Sequence, residues 1–116
     1  MRGPLIERLE ERATSGRPLR VCLVGAGTFG TMLLAQLRRL RGIELAGVAD
    51  HTSGRAAHAL ALAGWPDSLT TAADAADLIG TAGADVVVEA TGDPLAGADH
   101  ALAGFAAGSH VVREVG

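Results

Sequence analysis

The 116-residue sequence contains neither lysine nor tyrosine, so all ten basic residues are arginine. Without lysine there is no P-loop lysine, and without lysine and tyrosine there is no Tyr-x-x-x-Lys proton relay. One cysteine, Cys22, cannot form a disulfide framework or a zinc site, and its place in an apolar run predicts a small buried core residue. No stretch approaches the roughly 18 apolar residues of a membrane span. The opening "MRGPLIERLEERATSGRP" has no apolar leader core. A soluble, cytoplasmic protein is therefore expected. The net charge of -3 gives no reason to expect nucleic acid or an anionic membrane as a partner. Four histidines offer no metal-ligand spacing: His51, His58, His100 and His110 read as surface or packing residues, and no metal site is expected.

What is present is hydrophobic residue, at 48%, and glycine, at 16 positions. The length fits one domain with a real core. Helical spacing of Leu5, Ile6, Leu9 and Ala13 predicts an N-terminal helical arm over residues 1–18, ended by Gly16 and Pro18. From residue 19 onward strand-like and helix-like segments alternate. Strands are predicted at 19–24, 43–49, near 68–70, at the start of "DVVVEATG" from Asp85, and at 110–113. Helices are predicted at 31–41, with a start near Thr28, then at 54–63, at 72–80 with Thr71 as N-cap, and at 94–107 opened by Asp93. Such alternation implies β-α-β units and a parallel sheet. The expected fold is an α/β, Rossmann-type doubly wound sheet over 19–116, with five strands in order 3-2-1-4-5.

The segment "VCLVGAGTFG" places Gly25, Gly27 and Gly30 in a G-x-G-x-x-G pattern. In a shuffled chain this rich in glycine the pattern would arise about 0.3 times, so the spacing alone proves little. Its setting adds the meaning, because it joins a strand to a helix inside a β-α-β unit. There Gly25 permits the tight turn, Gly27 lets backbone approach a pyrophosphate, and Gly30 allows close helix-strand packing. The following helix start offers free N–H groups and the positive end of its dipole. Twenty residues beyond Gly30, Asp50 ends the second strand, where a carboxylate accepts both ribose hydroxyl hydrogens. A dinucleotide is the expected ligand. A 2'-phosphate ~4 Å from a carboxylate meets ~4 kcal/mol of repulsion at an effective dielectric near 20, which favours NAD over NADP. Arg55 reads as a solvated helix residue, although it would hold a 2'-phosphate if Asp50 turned aside. Glu89 is open between a buried strand carboxylate and a ligand-facing residue, and Asp93 reads as a helix N-cap in preference to a catalytic acid.

The helical arm ending in "GRP", the "GAGTFG" turn, "GWP" and "EATGDP" together resemble the N-terminal nucleotide-binding domain of homoserine dehydrogenase-like oxidoreductases, particularly those carrying a C-terminal SAF domain. More loosely, the layout is similar to the wider set of sugar and amino-acid-pathway dehydrogenases. The resemblance extends from Leu5 to Val112 and implies that Ala26, Gly27, Thr28, Phe29 and Gly30 line the pyrophosphate. It implies also that Asp50 and His51 meet the adenosine ribose, and that Ala90, Thr91 and Gly92 lie beside the cofactor. The last three agree with the rule that ligands bind at the carboxyl edge of such sheets. Members of that group continue into a catalytic and dimerisation region with a catalytic lysine, and in the wider group the fifth strand leads into Glu-Lys-Pro. Here the aligned residues are Glu114, Val115 and Gly116, so no catalytic residue is assigned and this segment alone is not expected to catalyse hydride transfer. The alternatives are a non-catalytic NAD(H)-binding sensor or partner module, and an S-adenosylmethionine-dependent methyltransferase. Gly30 and "EATG" argue against the second. An uncovered final strand, or the N-terminal helix, is expected to support homo-oligomerisation.

Overall fold

A computed structural model describes residues 3–113. The chain runs α1 (Pro4–Ser15), β1 (Leu19–Val24), α2 (Thr28–Leu37), β2 (Ile43–Ala49), α3 (Arg55–Ala63), β3 (Thr71–Ala72), α4 (Ala75–Ala82), β4 (Val86–Glu89), α5 (Pro94–Ala106) and β5 (His110–Arg113). Five strands pair in parallel in the order β3-β2-β1-β4-β5, as the alternating sequence predicts. Glu114, Val115 and Gly116 lie outside the described residues.

The continuous apolar run of β1 follows from burial on both faces. Leu23 points into a core with Leu34 of α2, Leu45 and Val48 of β2, and Leu60 of α3. Its neighbours Cys22 and Val24 point the other way, into a core with Leu78 and Ile79 of α4 and Val87 of β4. The three inner strands β1, β2 and β4 thus supply residues to both helical layers. Trp65, just past α3, joins the first layer and donates its ring N–H to the Leu34 carbonyl at 2.9 Å. The helical arm rests on the turn before β2: a Cβ at Gly42 would strike the backbone carbonyl of Leu9, itself buried. On the face shared with α4, α5 approaches the sheet through glycine, since a Cβ at Gly104 would lie 2.6 Å from Val111 Cγ2.

Three boundaries depart from expectation. The third strand is Thr71–Ala72 instead of 68–70, and the helix after it starts at Ala75 under an Asp74 cap instead of a Thr71 cap. The amides of Val48 and Asp50 in and after β2 bond to the carbonyls of Thr70 and Ala72, holding those residues extended and pushing the helix start downstream. There Asp74 accepts from the Asp77 amide at 3.1 Å, a stronger local cap than the threonine. Finally, α2 ends at Leu37 rather than Arg41, because Arg39 and Leu40 donate to carbonyls three residues back and tighten the chain out of the helix.

Cys22 is fully buried, and desolvation pushes its thiol up to about 11, against a smaller lowering by Arg20. The thiolate is the reactive species, so Cys22 will resist a thiol reagent at pH 8 in the folded chain and react at once in denaturant. Comparable labelling rates in the two states would contradict this packing.

Candidate functional site

The carboxyl ends of β1, β2 and β4 meet at a cavity of about 310 Å³. Its floor is Val24, Ala49 and Ala90, one residue from each strand end or just beyond it. The glycine turn and the first turn of α2 form one wall through Gly25, Gly27, Thr28 and Phe29. Asp50, His51 and Arg55 form the β2 side, Ala73 and Ala75 contribute from the α4 side, and Thr91 and His100 form the β4 side. This is the reversal point of strand order at which ligands bind in open α/β sheets.

The turn is shaped by backbone contact. Gly25 has φ +99°, and a Cβ there would lie 2.8 Å from Ala90 C and Thr91 N. A Cβ at Gly30 would strike the Gly25 carbonyl oxygen, so α2 crosses the turn at backbone distance. At Gly27 a Cβ would meet Arg55 Nη2 at 2.8 Å. Gly27 is also the N-cap of α2 and makes no side-chain cap bond, which leaves the amides of the first helical turn open to the cavity.

Asp50 is 8% exposed and spans the site. Its Oδ2 accepts from the Ala26 amide and its Oδ1 from the Thr52 amide, both at 2.8 Å. Arg55 Nε lies 3.7 Å from Oδ2, and His51 Nδ1 lies 3.9 Å from Oδ1. Burial raises the Asp50 carboxyl, but the two amides, followed by Arg55 and His51, outweigh it and hold the group below its ordinary value of 3.8. The carboxylate therefore braces the glycine turn against the end of β2 while facing the cavity.

On the opposite side, Glu89 ends β4 and is 1% exposed. Its Oε1 accepts from the Thr91 amide at 2.9 Å, with His100 Nδ1 at 3.7 Å, and Arg113 Nε lies 3.8 Å from Oε2. Gly97 admits this cluster beneath α5, because a Cβ there would lie 2.6 Å from Glu89 Oε2. Asp93 caps α5 by accepting from the amides of Leu95 and Ala96, as expected of an N-cap.

Of the sequence-derived site residues, Gly25, Gly27, Thr28, Phe29, Asp50, His51, Ala90 and Thr91 line the cavity. Ala26 contributes its amide to Asp50 and faces a neighbouring groove between α2 and α3; Gly30 is buried in the first turn of α2 against the Gly25 carbonyl, and Gly92 is exposed beyond the cavity rim. Arg55 and His100 were read as solvated or packing residues, yet both line the cavity. For His100 a signal exists in the sequence: it lies on the same stripe of α5 as Gly97 and Gly104, whose missing side chains mark the face against the sheet. Among the described residues no group of three or more His, Cys, Asp or Glu side chains is placed to hold a metal, and no helix is long and apolar enough to cross a membrane.

This geometry suits a dinucleotide: a glycine-lined backbone cradle, an uncapped helix start and a strand-end carboxylate converge on one cavity. The comparisons with known proteins point the same way. The chain resembles the solved apo scyllo-inositol dehydrogenase of Lactobacillus casei, with 19% identity and a TM-score of 0.67 over 84% of this chain and 28% of that one. The same enzyme with bound NAD(H) and scyllo-inositol gives 18% identity and a TM-score of 0.65 over 83% of this chain and 27% of that one. The myo-inositol 2-dehydrogenase of Lactobacillus plantarum gives 21% identity and a TM-score of 0.66, again over 83% and 27%. At these identities the likeness is one of fold, and the chain spans a little over a quarter of each relative's length. No curated protein matches the sequence. The model of the oxidoreductase family with an NAD-binding Rossmann fold matches residues 19–115, from the first strand onward. The chain therefore belongs to the Gfo/Idh/MocA oxidoreductase family, of which it carries the NAD-binding Rossmann domain.

Proposed function

We propose that the chain binds NAD across the cavity as the cofactor domain of a dehydrogenase whose substrate groups lie outside residues 1–116. The observation that carries this reading is the Asp50 carboxylate, anchored by two amides beside the uncapped start of α2. In it the pyrophosphate rests on the turn from Ala26 to Gly30, the adenosine ribose meets Asp50 and His51, and the other end of the dinucleotide lies toward Ala90, Thr91 and Gly92. NAD supplies hydride acceptance, while these residues bind and orient it. Residues 1–18 act as an arm outside the cofactor domain proper. The "GRP", "GWP" and "EATGDP" segments favour a homoserine dehydrogenase-like member, and the inositol dehydrogenases of the same fold support oxidation of an alcohol in either case. A second reading, a non-catalytic NAD(H)-binding module, draws on the absence of lysine and tyrosine. The exposed Val112 on the edge strand β5 supports self-association by this chain.

Calorimetric titration with NAD, NADH, NADP and NADPH tests the cofactor assignment. Arg55 Nε is held 3.7 Å from Asp50 Oδ2, so the guanidinium is committed to the carboxylate and not to a 2'-phosphate. NAD and NADH are expected to bind at least about tenfold more tightly than their phosphorylated counterparts, and Asp50→Ser to narrow that ratio. Failure of all four to bind would overturn the reading; equal affinities would overturn the NAD preference.

A further inference from the structure

We infer that His100, backed by Glu89 and Arg113, sets the preference between the oxidised and reduced forms of the dinucleotide and makes that preference depend on pH. The inference rests on the proposed placement of NAD. Glu89, which is buried, and Arg113, whose side chain is 41% exposed, form a pair of opposite charge, with Nε to Oε2 at 3.8 Å. His100 completes the cluster and lines the cavity beside Ala90 and Thr91. Its Nδ1 is buried and has no hydrogen-bond partner, while Glu89 Oε1, already accepting from the Thr91 amide, lies 3.7 Å away. The cluster thus carries one negative charge, one positive charge and one imidazole, and imidazole alone among these changes charge between about pH 5 and 8.

The cavity separates two ends. Asp50, His51 and Arg55 stand on the β2 side, and the Glu89 cluster stands on the β4 side. With the ribose at Asp50, the nicotinamide end falls toward β4. The two redox forms differ in charge only at that ring, which is a cation in NAD and neutral in NADH. A neutral His100 leaves the cluster balanced. A protonated His100 adds one positive charge on the ring's side and disfavours the cationic form alone. The ratio Kd(NAD)/Kd(NADH) should therefore rise as pH falls.

Other charges do not mimic this signal. His51 and Asp50, a pair on the β2 side, face the half of the dinucleotide that is the same in both forms, so their charge acts on both forms alike. The elements packed on α5 are β4, β5 and α4. The first two contribute Glu89 and Arg113, and α4 carries its carboxylates Asp74 and Asp77 at exposed positions, as α5 itself does with Asp93 and Asp99.

The test is a calorimetric titration of the full chain with NAD and with NADH between pH 8.5 and pH 6.0. The ratio is expected to rise about threefold to tenfold on acidification, the effect of one unit charge at an intermediate dielectric. His100→Gln should flatten it, and His58→Gln, at an exposed position on α3 away from the cavity, should leave it intact. The wild-type series decides without the variants: a flat ratio with both forms bound overturns this inference alone. Loss of binding for both forms at every pH overturns it together with the cofactor reading.

Discussion

Gly25→Ala is expected to destabilise the folded chain by about 3 kcal/mol and to weaken NAD binding at least tenfold. Two costs combine. At φ +99° an alanine sits in backbone territory that L residues rarely adopt, which costs of order 1–2 kcal/mol. Its Cβ would also lie 2.8 Å from Ala90 C and Thr91 N, backbone atoms that cannot rotate aside as a side chain would. Relief requires β4 and β1 to part where the cavity floor is built. Gly54→Ala is the control, because Gly54 has φ +78° with nothing within 4 Å of the added carbon. It should cost only about 1 kcal/mol and leave affinity unchanged. Urea unfolding and calorimetry on both variants check this. Equal destabilisation would mean that positive φ alone matters and that the contact with β4 does not.

Asp50→Ala is expected to cost about 2–4 kcal/mol at pH 7, since it strands the buried amide of Ala26 and leaves Thr52 and Arg55 without their acceptor. Part of this difference should vanish in acid. The carboxyl is held below 3.8 in the folded chain, so the unfolded chain takes up its proton first as pH falls. Stability supplied by the ionised form is therefore complete above 3.8 and drains away as pH drops through the lower folded value. Urea midpoints of wild type and variant should draw together as pH falls below about 4. A gap that stays constant over this range would show that Asp50 acts through packing and not through charge.

These two residues also mark what sequence reading can reach. The three glycines and the strand before them are local signals: spacing, an apolar run and an abrupt helix start lie within Val21–Gly30. Asp50 is legible as a strand-end acid, but its bond to the Ala26 amide crosses 24 residues and depends on β1 and β2 lying side by side. The third strand was misplaced because two residues carry almost no pattern; what holds Thr71–Ala72 extended is the free edge of β2. Arg55, His100 and Arg113 were missed as site residues for a similar reason. Each reaches the cavity or its supporting carboxylate only through helix and strand packing, and Arg113 meets Glu89 because β4 and β5 run in register there.

The Asp50 brace has a kinetic side. Ala26 and Thr52 are fixed by a carboxylate belonging to the chain, so the turn has its shape before any ligand arrives. A ligand seating on it need not order the loop, and the entropy of that ordering is settled during folding. Complexes on such a preset turn form at rates governed by encounter, and substitutions around the cavity will show themselves in how long the ligand stays.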